Sequence, residues 1–140
     1  MRHGETGAVS TELAVLTPVL IGFMLFAVYA GRVTQAEGDV ANAAQEAARA
    51  ASLTGNPTDA ETAAGETAAA NIAHGGVACR RLEVTVDTTD FNAGGRVAVT
   101  VDCEASFADI ALLAVPGSRT FTSTAVEVID TYRAVQEATP

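Results

Sequence analysis

The chain has 140 residues, 49% of them apolar and 18% charged, and a net charge of −9 from eight basic and seventeen acidic side chains. That length holds one membrane segment and one small domain but not two full globular domains. Lysine is absent, and beyond Arg32 six arginines face fifteen acids. The region after the first 32 residues thus carries the whole −9, which disfavours nucleic acid and anionic lipid surfaces as partners.

Residues 1–7, Met-Arg-His-Gly-Glu-Thr-Gly, are polar and too short to fold. From Ala8 a helix can run on, with Ser10 or Thr11 as its cap. Nineteen residues without a charge separate Glu12 from Arg32, and eleven of them are large and apolar. As a helix they span about 28 Å, close to the roughly 30 Å hydrocarbon core of a bilayer. At roughly −0.3 to −0.6 kcal/mol per large apolar residue, insertion is favoured by about 3 to 7 kcal/mol. Residues 13–31 therefore read as a transmembrane helix. Pro18 is the only strong breaker inside it, and in a membrane helix it predicts a bend.

Past Arg32 the period stays helical but the pattern narrows. Val33, Ala36, Val40, Ala43, Ala47 and Ala51 form a thin stripe of small apolar residues among polar ones,. Packing against the chain's own domain and contact with neighbouring subunits explain such a stripe equally well. Gly31 and Gly38 each weaken a helix by about 1 kcal/mol relative to Ala. Even so, nothing else argues for a break before Gly55-Asn56-Pro57, and one helix is expected over 8–53.

A second helix follows. Pro57 suits its first position, Thr58 and Glu61 have capping-box spacing, and Gly75-Gly76 ends it,. The period then falls to two. Leu82, Val84 and Val86 alternate with polar residues, as do Val97, Val99 and Val101, on either side of the loop from Thr89 to Gly95, which predicts a hairpin,. Pairing the two apolar faces requires position numbers with an odd sum, such as 84 with 99. Cys79 and Cys103 have an even sum, so a bulge is expected near Arg80-Arg81, or else Cys79 lies just ahead of the strand. In an exported domain of this size the two cysteines are expected to bond, which contributes roughly 3 kcal/mol for a loop of about 25 residues. Residues 106–115 fit either a short helix or a buried crossing. Thr120 to Tyr132 suits a third strand, and the tail from Ala134 is expected to fray. The predicted fold class is α+β, a long helix followed by a small helix and an antiparallel sheet over 54–140.

Catalytic groups are not readable. The serines lack motifs, His3 and His74 are the only histidines, and no nucleophile–base pair or metal-ligand spacing emerges. Asp87, Asp90, Asp102 and Glu104 gather near the hairpin, but their spacing matches no calcium loop and they read as solvated strand ends. Neither an enzyme, a cofactor nor a small-molecule substrate is expected.

The string Gly7-Ala8-Val9-Ser10-Thr11-Glu12-Leu13 places an acid five residues after a glycine that closes a tiny polar leader, directly before the apolar run. Here the sequence resembles the prepilins, and within them the TadE-like and TadF-like minor pilins of tight-adherence pili. Glu12 to Pro18 resembles that family's acid, apolar run and proline. Ala47-Ala48-Arg49-Ala50-Ala51 resembles the segment that follows its membrane helix. Two departures are Leu13, where phenylalanine is usual, and a leader with a single arginine, Arg2, offset by Glu5.

The resemblance implies a pilin-like fold and removal of residues 1–7 by a prepilin peptidase between Gly7 and Ala8. It also implies a cytoplasmic N-terminus, an extracytoplasmic domain, and two kinds of partner: other pilin or pseudopilin subunits and a membrane assembly platform. Cleavage would expose an ammonium at Ala8, and a carboxylate at low dielectric needs a partner. Glu12 is therefore expected to set the axial register between subunits by pairing with a neighbour's Ala8 amine. Two other readings stay open. Val28-Tyr29-Ala30 before Gly31 has the look of a signal-peptidase site, which would release a secreted domain. An uncleaved anchored domain that binds a ligand outside the cell is the other.

Overall fold

The computed structural model describes residues 6–106 and 117–132, with side chains from Leu13 onward. Five elements follow in order: α1 (Thr6–Ser52), α2 (Pro57–Gly75), β1 (Cys79–Asp87), β2 (Arg96–Ser106) and β3 (Ser118–Val128). This is the expected α+β class. The chain divides into two compact units, Met1–Thr34 and Gln35–Pro140.

The first unit holds the apolar part of α1. Most of its large side chains are exposed, Phe23 to 70% and Met24 to 69%, while Leu25 and Tyr29 are half-buried. The helix starts at Thr6, ahead of the expected Ala8, which puts Ser10 and Thr11 inside it and not at its cap. It also passes through Pro18 without interruption. The proline ring removes the N–H that would bond the Ala14 carbonyl. One residue earlier, the Thr17 hydroxyl donates to the Leu13 carbonyl at 2.6 Å.

In the second unit, the remainder of α1 and all of α2 cover one face of a three-stranded antiparallel sheet in the order β1-β2-β3. The helices contribute mostly alanine. Ala36, Val40, Ala43, Ala44, Ala47, Ala48 and Ala51 of α1 are buried, as are Ala60, Ala64, Ala68 and Ile72 of α2. The stripe thus packs into its own domain, and Ala44 and Ala48 widen it. From β2 come Val97, Val99, Val101, Cys103 and Ala105, with Phe121 from β3 and Ile129 just beyond it.

The cap of α2 differs from the expected Thr58–Glu61 box. Asn56 is the N-cap: its Oδ1 accepts the Asp59 N–H at 2.9 Å, and its Nδ2 donates to the Asp59 carboxylate at 2.7 Å. Pro57 takes the first helical position as expected. A shorter acid one turn in reaches the cap residue directly. At the other end Gly76 adopts the left-handed conformation, φ 82°,. Gly75 is needed for closeness, because a Cβ there would lie 2.8 Å from Cγ of Asp39 on α1. Gln35 donates to the Gly75 carbonyl at 3.5 Å. These contacts, with the short connection at Gly55, make α1 and α2 antiparallel neighbours.

The hairpin has the expected parity, but Val84 pairs with Val101 and not with Val99. The shift by two arises because the loop folds on itself. The Asp90 carbonyl accepts from the N–H groups of Asn92 and Arg96, both at 3.0 Å, and Phe91 tucks into the core. Gly94 and Gly95 exchange backbone bonds with Ile129 at 3.0 and 2.9 Å, extending the β2–β3 pairing beyond the end of β1. The expected bulge is present: the register shifts between Cys79 and Arg81. The third strand begins at Ser118 and ends at Val128, inside the expected Tyr132. Residues 107–115 of the expected crossing and the tail from Ala134 lie outside the described residues.

Two glycines should respond oppositely to alanine. A Cβ at Gly95 would fall 2.1 Å from the Asp90 carbonyl oxygen, whereas at Gly65, inside α2, nothing lies within 4 Å. Gly95→Ala should lower stability by about 1–3 kcal/mol, and Gly65→Ala should raise it by up to about 1 kcal/mol. Chemical denaturation of the detergent-solubilised full chain checks both.

Candidate functional site

The candidate site is a helix surface and not a pocket. Gly7, Ala8 and Glu12 lie on the first two turns of α1, with Pro18 two turns further on. Glu12 thus sits on the same continuous helix as the apolar run, as the sequence pattern requires; its side chain is outside the described set. From Leu13 to Val28 the helix exposes Leu, Val, Ile, Phe and Met around its whole circumference. It is long and apolar enough to cross a membrane, and none of its most apolar window is buried. In water such a surface is costly at about 25 cal/mol per Å² of apolar area, while in hydrocarbon it costs nothing.

Cys79 and Cys103 form a disulfide with a Cα–Cα distance of 5.4 Å. The bulge makes this possible. Cys79 and Leu82 are three apart, which in a regular strand puts them on opposite faces. With one extra residue between Cys79 and Arg81, both Cys79 and Leu82 turn toward the half-buried side, where Cys103 also lies. Arg80 and Arg81 both remain exposed.

The four acids near the hairpin do not converge. Asp102 and Glu104 are on the outward face of β2, whereas Asp87 lies opposite Ala98 and Asp90 lies in the loop. Each of three has a local role. Asp87 accepts the Thr89 N–H at 3.0 Å and the Thr89 hydroxyl at 2.7 Å, Asp102 accepts the Thr122 hydroxyl, and Asp90 lies 3.8 Å from Arg96. Among the described residues no three His, Cys, Asp or Glu side chains are grouped to hold a metal.

Two of the shallow clefts among the described residues lie beside the sheet. One, of about 400 Å³, is lined by Asp87, Asp90, Arg96, Ala98 and Val126. The other, of about 330 Å³, runs between Glu37 and Val40 of α1 and residues 119–123 of β3. Its mouth carries Arg119, whose guanidinium lies 5.5 Å from the Phe121 ring centre. Both are open to solvent and bring no reactive groups together. Sequence reading missed the Asp39–Gly75 contact, for which the only signal was a doubled glycine at a helix end.

Residues 7–49 match the model of the TadE-like protein family. Over that segment the chain resembles that family. The match coincides with α1 almost end to end, taking in the Gly7-Ala8 junction, Glu12, the exposed apolar run and most of the buried stripe. No curated protein and no solved structure matches the chain. TadE-like proteins are associated with tight-adherence pili, and one helix able to span a membrane fits a membrane-anchored protein of that kind.

The Thr89 hydrogen bonds, backbone first and then hydroxyl, hold the Asp87 carboxyl below its ordinary value of 3.8, with Arg96 adding to the effect. A depressed acid stabilises the folded state above its unfolded pKa, and that contribution is lost as pH falls through the folded value. The stability difference between wild type and Asp87→Ala should therefore be constant near neutrality and shrink below about pH 4. Denaturation at several pH values checks this, with carboxyl NMR expected to place the Asp87 midpoint under 3.8.

Proposed function

We propose that this chain is a minor pilin or pseudopilin, a non-catalytic structural and assembly subunit of a tight-adherence type pilus. The observation that carries the reading is the coincidence of the TadE-like match with a helix whose first part is apolar on all sides and uncovered. A surface of that kind requires lipid or other apolar helices around it, and a pilus subunit meets both: bilayer before assembly, neighbouring subunits after it.

On this reading a prepilin peptidase removes residues 1–7 on the cytoplasmic side, cutting between Gly7 and Ala8. The domain after Arg32 lies outside the membrane, where its disulfide is stable. Its partners are the peptidase, other pilin or pseudopilin subunits, and the membrane platform that assembles them. Glu12, drawn with α1 into an apolar environment, pairs with the new Ala8 ammonium of a neighbour and fixes the axial offset between subunits. A carboxylate left unpaired there costs several kcal/mol.

Amino-terminal sequencing of the protein from its native cells should return Ala8. Met1 would instead support an uncleaved anchored domain, and Gly31 a secreted one. For the register, Glu12→Leu should leave the chain in the membrane but abolish its co-purification with pilin subunits. Normal co-assembly of that variant would remove Glu12 from the mechanism.

A further inference from the structure

The corner between α2 and β1 is held in an unusual way. Its near end is fixed where Gly75 meets Asp39 and Gln35 of α1. From there the chain turns through Gly76 in the left-handed conformation and reaches β1 by way of half-buried Val77 and exposed Ala78. Cys79 then pairs with Ala105, Arg80 has no ladder partner, and regular pairing resumes with Arg81 opposite Glu104. Both arginines point to solvent and contribute no packing. β1 is moreover an edge strand. By contrast, the far side of the bond, Cys103, is fully buried in the central strand, with a partner on each side: Leu82 on β1 and Phe121 on β3.

We infer that the Cys79–Cys103 bond is a redox latch on this corner, and that its reduction frees the segment from Gly76 to Arg81 while the remaining ladder stays intact. From Leu82 onward β1 keeps six consecutive pairs with β2 and three half-buried apolar side chains, which do not depend on the bond. Before Leu82 the chain keeps two ladder pairs, Cys79 with Ala105 and Arg81 with Glu104, separated by the bulge. The chemistry is thiol–disulfide exchange with a dithiol. A thiolate of the dithiol attacks the half-buried Cys79 sulfur, and the S–S bond breaks toward Cys103. The second thiol of the reagent then closes its own disulfide, leaving Cys79 and Cys103 as thiols, each with one proton. The Cys103 leaving group emerges in an apolar wall, which disfavours the thiolate and keeps the latch closed in the folded protein unless reductant is abundant. A chain made in a reducing compartment therefore carries an open corner, and the corner closes once the domain reaches an oxidising one.

Arg80 and Arg81 serve as reporters because trypsin cuts after arginine and the chain has no lysine. The detergent-solubilised full chain, oxidised or treated with dithiothreitol and alkylated, is digested briefly and the cleavage rate at each arginine is followed by mass spectrometry. Reduction should accelerate cutting after Arg80 and Arg81 by at least about tenfold, with Arg49 and Arg119 unchanged. A Cys79→Ala/Cys103→Ala variant should behave like the reduced protein without any reagent. Unchanged rates at Arg80 and Arg81 would show that the ladder alone holds the corner. Equal acceleration at every arginine, including in a variant that fails to fold, would show that the bond supports the whole domain. Either result overturns the latch.

Discussion

Along α1 the surface changes from apolar on every side to apolar on one stripe within the few residues between Gly31 and Ala36. A helix in hydrocarbon satisfies its backbone internally and presents carbon all round; a helix on a sheet in water can present carbon only toward the sheet. One uninterrupted element meets both demands here because neither requires a break in its hydrogen bonding, only a change of side chains. The switch occurs where charge returns at Arg32 and the first core alanine, Ala36, is already 4% exposed. The rest of the domain is built to cover that second half.

Covering it with alanine has consequences. A stripe of methyl groups lets α1 and α2 come close, so close that Gly75 lacks room for a Cβ beside Asp39. It also leaves little apolar area per residue. Most of the larger buried side chains come from the sheet side, chiefly Val97, Val99 and Val101 of β2 with Ile129 and Phe121, against Val40 and Ile72 from the helices. A thin core of this kind gains from a covalent tie, which by chain entropy contributes about 3 kcal/mol, and the bond is placed on the edge strand that contributes fewest fully buried residues.

Much of this was legible in the residues. The membrane run and the buried stripe were visible because their periods differ from each other and from the strands that follow. Parity left two arrangements, a bulge near Arg80-Arg81 or Cys79 just ahead of the strand, because the two cysteines cannot share a face in a regular ladder that also aligns the valines, and the structure has the bulge. The exact register was not, since parity fixes a pairing only modulo two. The outcome was decided by a loop whose carbonyl at Asp90 gathers two N–H groups and whose Gly94-Gly95 pair both closes a turn on the Asn92 carbonyl and bonds Ile129. The helix starts were misplaced for a similar reason. Ser10 and Thr11 are good caps, as is Thr58, but α1 already runs from Thr6 and Asn56 caps α2.

Arg80 explains why the bulge does not depend on sulfur chemistry alone. If the ladder from Leu82 continued without an extra residue, Arg80 would stand opposite Ala105, in the half-buried place that Cys79 now holds. A guanidinium drawn partly out of water without a partner loses solvation, which opposes that arrangement. The charge of Arg80 therefore disfavours the regular ladder, and the bulge that keeps it in solvent also turns Cys79 toward Cys103. Electrostatics and the disulfide thus favour the same local register.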